Sequence, residues 1–285
     1  MKRIIMLVAF WAAFMSYESF ADDVKKNIDF SSFTSLKSEV SCEITLEESD
    51  NYSATVTCDS MFADYLALYV KNNTLLVEFN QKDLSPEAKK IWKSKDARIP
   101  QFHIVLRAPK LVDITIAGDT QFKALNEIVS QESFKISISG RAKASGITIK
   151  TKNADISVSK NGYADLTVKA DAVNAESANG STLNMNIESE KASLAMGNSA
   201  KCCITGSSQK FKLHSNGFSS LNALEAMFAE IAVVMENSSS AVFNTSGPLS
   251  VDMKGSSRLS FKGSPDFEIV KVISSTIEPY KEESK

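Results

Sequence analysis

Histidine is nearly missing from this chain: His103 and His214 are the only two among 285 residues. That leaves little material for imidazole acid–base chemistry or for a His-based metal site. A basic excess is missing as well. Lys plus Arg number 32 against 34 Asp plus Glu, for a formal net charge of −2. Proteins that grip phosphate backbones carry a clear cationic surplus, so nucleic acid is not an expected partner. Glycine is sparse, at 11 residues. There is no phosphate-cradling glycine loop, no nucleophile elbow and no HExxH motif, so neither cofactor nor metal is expected. What is present is ordinary for a folded chain. Hydrophobic residues make up 43% and charged residues 23%, which excludes global disorder. The length suits one or two domains with a sizeable core.

The first residues read as an address. Lys2 and Arg3 precede an apolar run from Ile4 to Phe14, and Ser19-Phe20-Ala21 places small residues where a signal peptidase reads them. A cleaved secretory signal over 1–21 is expected, with the cut between Ala21 and Asp22. The alternative, a membrane anchor, needs roughly 20 apolar residues. No later segment reads as an integral membrane helix. The mature chain then carries a net charge of −3, because Lys2, Arg3 and Glu18 leave with the signal.

The four cysteines all lie beyond the signal, in a compartment that permits disulfides. Cys42 and Cys58 bracket CEITLEESDNYSATVTC, whose alternation reads as two strands around a turn at Glu48–Asn51. A hairpin centred on Asp50 sets Cys42 opposite Cys58, Ile44 opposite Val56 and Leu46 opposite Ala54, all on one face. A Cys42–Cys58 disulfide is the expectation, and two buried free thiols the alternative. Cys202 and Cys203 are neighbours whose side chains point to opposite faces of a strand, so Cys202 reads as a small core residue and a vicinal bond as strained. Neither has partners at zinc spacing.

From Leu111 onward a short phrase recurs. Copies begin at residues 111, 134, 154, 173, 192, 211, 231 and 249, with spacings of 18 to 23 residues. Each holds an alternating apolar run, a cluster of Gly, Asn and Ser, and a second alternating run, as in Ile136 and Ile138 followed by Ser139-Gly140. Eight copies of about 20 residues indicate a repeat architecture in which one unit cannot bury its apolar face alone. Two short strands per unit exclude helix-pair repeats and predict an all-β β-solenoid of about eight coils. Its number of faces does not follow from the pattern. Asn161, Asn179, Asn198, Asn216 and Asn237 recur at the turn. Asn accepts left-handed backbone and can pair with Asn in the next coil, so a structural turn ladder is expected, with a ligand-binding polar strip as the alternative. Leu221 to Val234 is rich in helix formers, but the preserved spacing favours an apolar rung there over a helical excursion.

Before the repeat, Tyr69 to Leu76 reads as strand, Asn turn, strand. Ser85-Pro86-Glu87 opens a short polar helix with Ser as N-cap and Pro at its first position, and Gln101 to Leu106 returns to strand around His103. The organisation expected is a signal over 1–21, an amino-terminal β-hairpin region over 22–110 that packs on and caps the solenoid, the repeat over 111–265, and a terminal strand and polar tail over 266–285.

The order VKNNTLLVEF, FHIVLRAPKLVDITIAG, ISISGRAKA and VDMKGSSRLSFKGSP resembles the auto-transporter adhesin head GIN domain family of mainly bacterial exported proteins, over roughly Phe30 to Pro265. Ala108-Pro109-Lys110-Leu111 and the turns Ser139-Gly140 and Lys254-Gly255 carry the resemblance. Lys160, Asn179 and Glu236 depart from it, standing where that family usually has Gly. The resemblance implies adhesion and brings no catalytic residues and no ligand. The export signal and the long polar faces of a solenoid point to a binding module in the periplasm, at the cell surface or outside the cell, whose partner is a glycan or an envelope or surface protein. Two other classes compete. One is an envelope assembly protein. The other is a polysaccharide-acting β-helix enzyme, for which Asp113 with Asp155, or Asp165 with Asp171, would be the carboxylate pairs.

Overall fold

The computed structural model describes residues 23–93 and 102–282. The expected cleavage point at Ala21 and Asp22 lies outside the described residues. The chain is all-β, with 67% strand and 5% helix, and winds as a β-solenoid of about nine turns.

One coil explains the rest. The strand Tyr163–Ala178 points Ala164, Leu166 and Val168 inward, bends at Asp171, and then points Val173, Ala175 and Ser177 into the same interior. A tight turn at Asn179 and Gly180 leads to Thr182 and the next coil. Alternation within each arm follows from the two-residue period of a strand. Stacking is parallel and in register: Ile156, Ala175, Leu194, Leu213, Val233 and Val251 lie one above another, as do Ile147, Leu166, Met185 and Ile204. Each Val, Leu, Ile or Met among these, once fully covered, contributes about 1.5–3 kcal/mol. Each coil thus has two arms that share one apolar column. A bend closes one edge and a two-residue turn closes the other.

At the turn edge both central residues have positive φ: Asn179 at 57° with Gly180 at 76°, and Asn198 at 48° with Ser199 at 65°. This is the pattern of a type I′ turn, which favours Asn and Gly because other side chains resist left-handed backbone. Inside this edge, buried serines satisfy one another. Ser177 meets Ser181 at 2.9 Å, and Ser215 meets Ser219 at 2.7 Å.

The column extends below Leu111. Ser35–Ser38 pairs in parallel with Asp113–Ile116, and Cys42–Glu48 with Gln121–Ala124. Thr74–Phe79 and Phe102–Ala108 stack beneath those first two strands in turn. The later segment of the chain therefore lies further out than the earlier one. In this outer coil the helix Pro86–Lys93 follows the first strand. Ser85 caps it, its hydroxyl accepting from the Ala88 amide at 3.1 Å. Trp92 packs on Phe62 and Phe79 with ring centroids at 6.1 and 5.1 Å. Leu66–Lys71 and Thr74–Phe79 form the expected hairpin, turning at Asn72 and Asn73 with φ of 49° and 61°.

One sequence expectation holds and another does not. Leu221 to Val234 is the apolar rung, not a helix. It forms Ser220–Ala223 and part of Ala226–Met235, with Leu221, Ala223, Phe228, Ile231 and Val233 buried. In-register pairing with the coils on both sides outweighs helix propensity here. The Cys42–Cys58 hairpin is a correction. Cys42–Glu48 and Ser53–Asp59 do not pair with each other, because Phe102–Ala108 lies between them. Ile104 stands between Ile44 and Val56, and Leu106 between Leu46 and Ala54. The apolar alternation identified the buried face correctly, but a third strand with the same alternation satisfies it equally well. Two strand spacings separate the cysteines by about 9.5 Å, beyond the reach of a disulfide. All four thiols are free.

Burial pushes the Cys42 thiol up to about 11 and the Cys202 thiol up to about 12, and it raises Cys58 as well. Cys203 alone is partly exposed. Thiol titration of the native chain should therefore count one reactive group, and titration after denaturation without reductant should count all four. Two thiols after denaturation would establish a disulfide that this arrangement excludes.

Candidate binding face

The outward side chains of the second arm form columns that run the length of the solenoid. One column carries Asp113, Lys135, Asp155, Asn174, Ser193, Lys212 and Ala232 on successive coils. The column beside it carries Ser157, Glu176, Ala195, His214 and Val234. Because its outward residues are mostly small, the sheet leaves a shallow groove of about 670 Å³ between Lys135 and Val234.

The groove is polar along one side. The Ser193 hydroxyl donates to Asn174 Oδ1 at 3.0 Å, and Asn174 Nδ2 donates to Asp155 Oδ1 at 3.2 Å. Ala195, and Ala232 with Val234 two coils on, add small apolar patches on either side of His214. Lys135 and Lys212 stand four coils apart, about 19 Å at the spacing of stacked strands. Neither makes an ion pair among the described residues. Several other lysines are paired coil to coil: Lys152 with Glu132 at 2.8 Å, Lys210 with Glu230 at 3.2 Å and Lys254 with Glu236 at 2.8 Å. Uncommitted cations beside hydrogen-bonding groups and small side chains are what an extended partner could use.

The sequence candidates distribute as follows. Asp113 and Asp155 share the groove column, with Lys135 between them. Asp113 Oδ1 is buried without a hydrogen-bond partner. Asp165 lies on the opposite outer face, in register with Asn184, and Asp171 lies at the bend, so those two do not converge. His103 contacts Glu43 at 3.5 Å near the head of the column. There Lys123 also holds Glu43, at 2.7 Å, and draws its carboxyl below the usual range. His214 is exposed on the groove. Among the described residues no cluster of His, Cys, Asp and Glu could hold a metal ion.

The five turn asparagines share an edge but not one position. Asn179, Asn198 and Asn237 align at the first left-handed position, while Asn161 takes the second and Asn216 precedes the turn. Asn198 Nδ2 donates to Asn179 Oδ1 at 3.0 Å, and Asn237 Nδ2 to Asn216 Oδ1 at 3.1 Å. The same edge holds a feature the repeat did not reveal. Phe218 occupies a left-handed position with φ of 57° and is 75% exposed. A bulky side chain in that conformation costs stability, and no burial offsets it.

The chain belongs to the family described as "Putative auto-transporter adhesin, head GIN domain", whose model matches residues 32–186 and 164–265. Three solved structures share the fold. A protein from Parabacteroides distasonis ATCC 8503 titled "Putative lipid binding protein" superposes with a TM-score of 0.66 at 16% identity, covering 91% of this chain and 97% of that one. A "putative adhesin" from the same strain gives 0.65 at 16% identity over 92% and 98%. Another "putative adhesin", from Parabacteroides merdae ATCC 43184, gives 0.63 at 15% over 91% and 96%. No curated protein matches the chain. The family and two of these neighbours are described as adhesins.

Substitutions at the turn edge separate fold from surface. Gly140 has φ of 71°, and a Cβ there would lie 2.9 Å from the Gly118 amide nitrogen. Gly140→Ala should lower unfolding free energy by about 1–2 kcal/mol. Phe218→Asn should raise it by about 1 kcal/mol, because Asn accepts the left-handed backbone. Denaturant titration measures both.

Proposed function

We propose that this chain is exported and works without catalysis as an adhesin-like binding module of the cell envelope or surface. Its partner is a glycan or another envelope component lying along the groove. The observation that carries this reading is the groove itself, with Lys135 at one end, Lys212 one coil short of the other, both without an ion pair among the described residues, and the Ser193–Asn174–Asp155 ladder between them. Solenoids suit extended partners because the same position recurs on every coil. The family description and the titles of two structural neighbours lend support. The polysaccharide-acting alternative draws less support, since Lys135 interrupts its best carboxylate pair and no other groups converge there. The apolar patches at Ala195, Ala232 and Val234 favour a second reading, in which an acyl chain lies in the same groove. One neighbour's title names lipid binding.

Two measurements test this. Amino-terminal sequencing of the exported protein should begin at Asp22, and retention of Met1 would remove the export signal as read. The mature chain should bind saturably to a member of an array of glycans, envelope proteins and lipid vesicles. The double variant Lys212→Glu with Ser193→Lys should lose at least about tenfold in affinity, as expected for reversed charge at an interface. Both side chains are on the surface, so its melting temperature should stay unchanged. Undiminished binding by that variant would move the binding face elsewhere.

A further inference from the structure

The two ends of the column differ. At the head, Phe62, Leu84 and Ala88 are buried and Trp92 packs over them, so the interior is closed. One outermost strand there, Asp23–Asp29, carries Asp23, Lys25, Lys26 and Asp29 along its exposed length. Charges on an edge strand discourage further pairing.

At the tail no such closure exists among the described residues. Asp266–Ile273 pairs only with Pro248–Lys254, and Thr276–Pro279 only with Arg258–Lys262. The outer edge of each is open. Phe267, Ile269, Val272 and Ile277 stack on Leu249, Val251, Met253 and Leu259, all of which are fully buried. The upper layer lacks that cover. Ile269 is 52% exposed and Val272 36%, with Val270 at 63% and Ile273 at 49% beside them. The stack presents an apolar layer between two open strand edges, which is what a further coil would rest on.

We propose that this end is a self-association surface on which a second copy of the chain docks tail to tail. An occupant that satisfies the site must continue both sheets at once and bring its own apolar layer. The head of another copy fails this requirement, because its interior is closed by the helix and Trp92, and one of its two edges, Asp23–Asp29, is charged, while the other is Leu66–Lys71. The tail meets it. A twofold axis normal to the sheets sets Asp266–Ile273 antiparallel to its own copy and Thr276–Pro279 to its own. The charges agree with that reversal. The first half of Asp266–Ile273 carries Asp266 and Glu268, and the second half carries Lys271. Antiparallel self-pairing brings the acidic half of one strand to the basic half of the other. The register shift at Val270 divides the edge into two short pairing segments on either side of that residue. The product is a closed dimer with both grooves left free.

Sedimentation of the chain as purified from exporting cells, over a range of concentrations, tests the proposal. The expected result is a monomer–dimer equilibrium that stops at two copies. A monomer at the highest soluble concentration overturns it, and so does a series growing beyond the dimer, which would mean head-to-tail stacking. The variant Val270→Glu with Lys271→Glu changes exposed side chains only and sets the second half of the strand, now acidic, against the acidic half of its copy. It should keep the parent melting temperature and raise the dimer dissociation constant at least tenfold. A variant of native stability that still dimerises like the parent also overturns it. Groove binding is measured separately, so failure of one reading leaves the other intact.

Discussion

Everything in this structure depends on in-register stacking of parallel strands. Each residue stands about 4.8 Å from the residue at the same position one coil away, so no position can be chosen alone. A column must be apolar along its whole length, or polar and paired. Ile136, Ile156, Ala175, Leu194 and Leu213 show the first solution. The serine pairs inside the turn edge show the second, because a buried hydroxyl without a partner is costly. The ion pairs obey the same rule. Lys152 reaches Glu132, Lys210 reaches Glu230 and Lys262 reaches Glu282, each about one coil away in sequence.

The same constraint shapes the surface. Stacking turns a local choice of small outward residues into a groove, since Ser157, Ser193 with Ala195, and Ala232 recur on alternate coils. It also makes the ends of the column different in kind from its sides. A side is complete once its coils are stacked, whereas an end must be closed by something outside the repeat. At the head, aromatic residues and one short helix do this. At the tail the interior column is uncovered among the described residues.

Much of this was legible in the sequence. Period, strand alternation, turn chemistry and the cap at Ser85 all reflect interactions within a coil or between identical positions of adjacent coils. The candidate face was legible only as a class of surface. That Lys135 and Lys212 are unpaired while Lys210 is not depends on which column each side chain joins and what stands above it. Phe218 could have been noticed as an aromatic residue where the repeat has Gly, Asn or Ser, but its exposure required the turn geometry.

Alternation and period by themselves determined an all-β column with a buried stripe, because side-chain direction in a strand follows from backbone geometry alone. Only the tertiary structure decided which strands are neighbours. Cys42–Glu48 and Ser53–Asp59 have the pattern of a hairpin, yet a strand more than 40 residues later separates them. Leu221 to Val234 has the composition of a helix, yet the coils above and below hold it extended. A backbone edge accepts any strand whose alternation matches, so the choice among matching partners rests on the packing of the whole column.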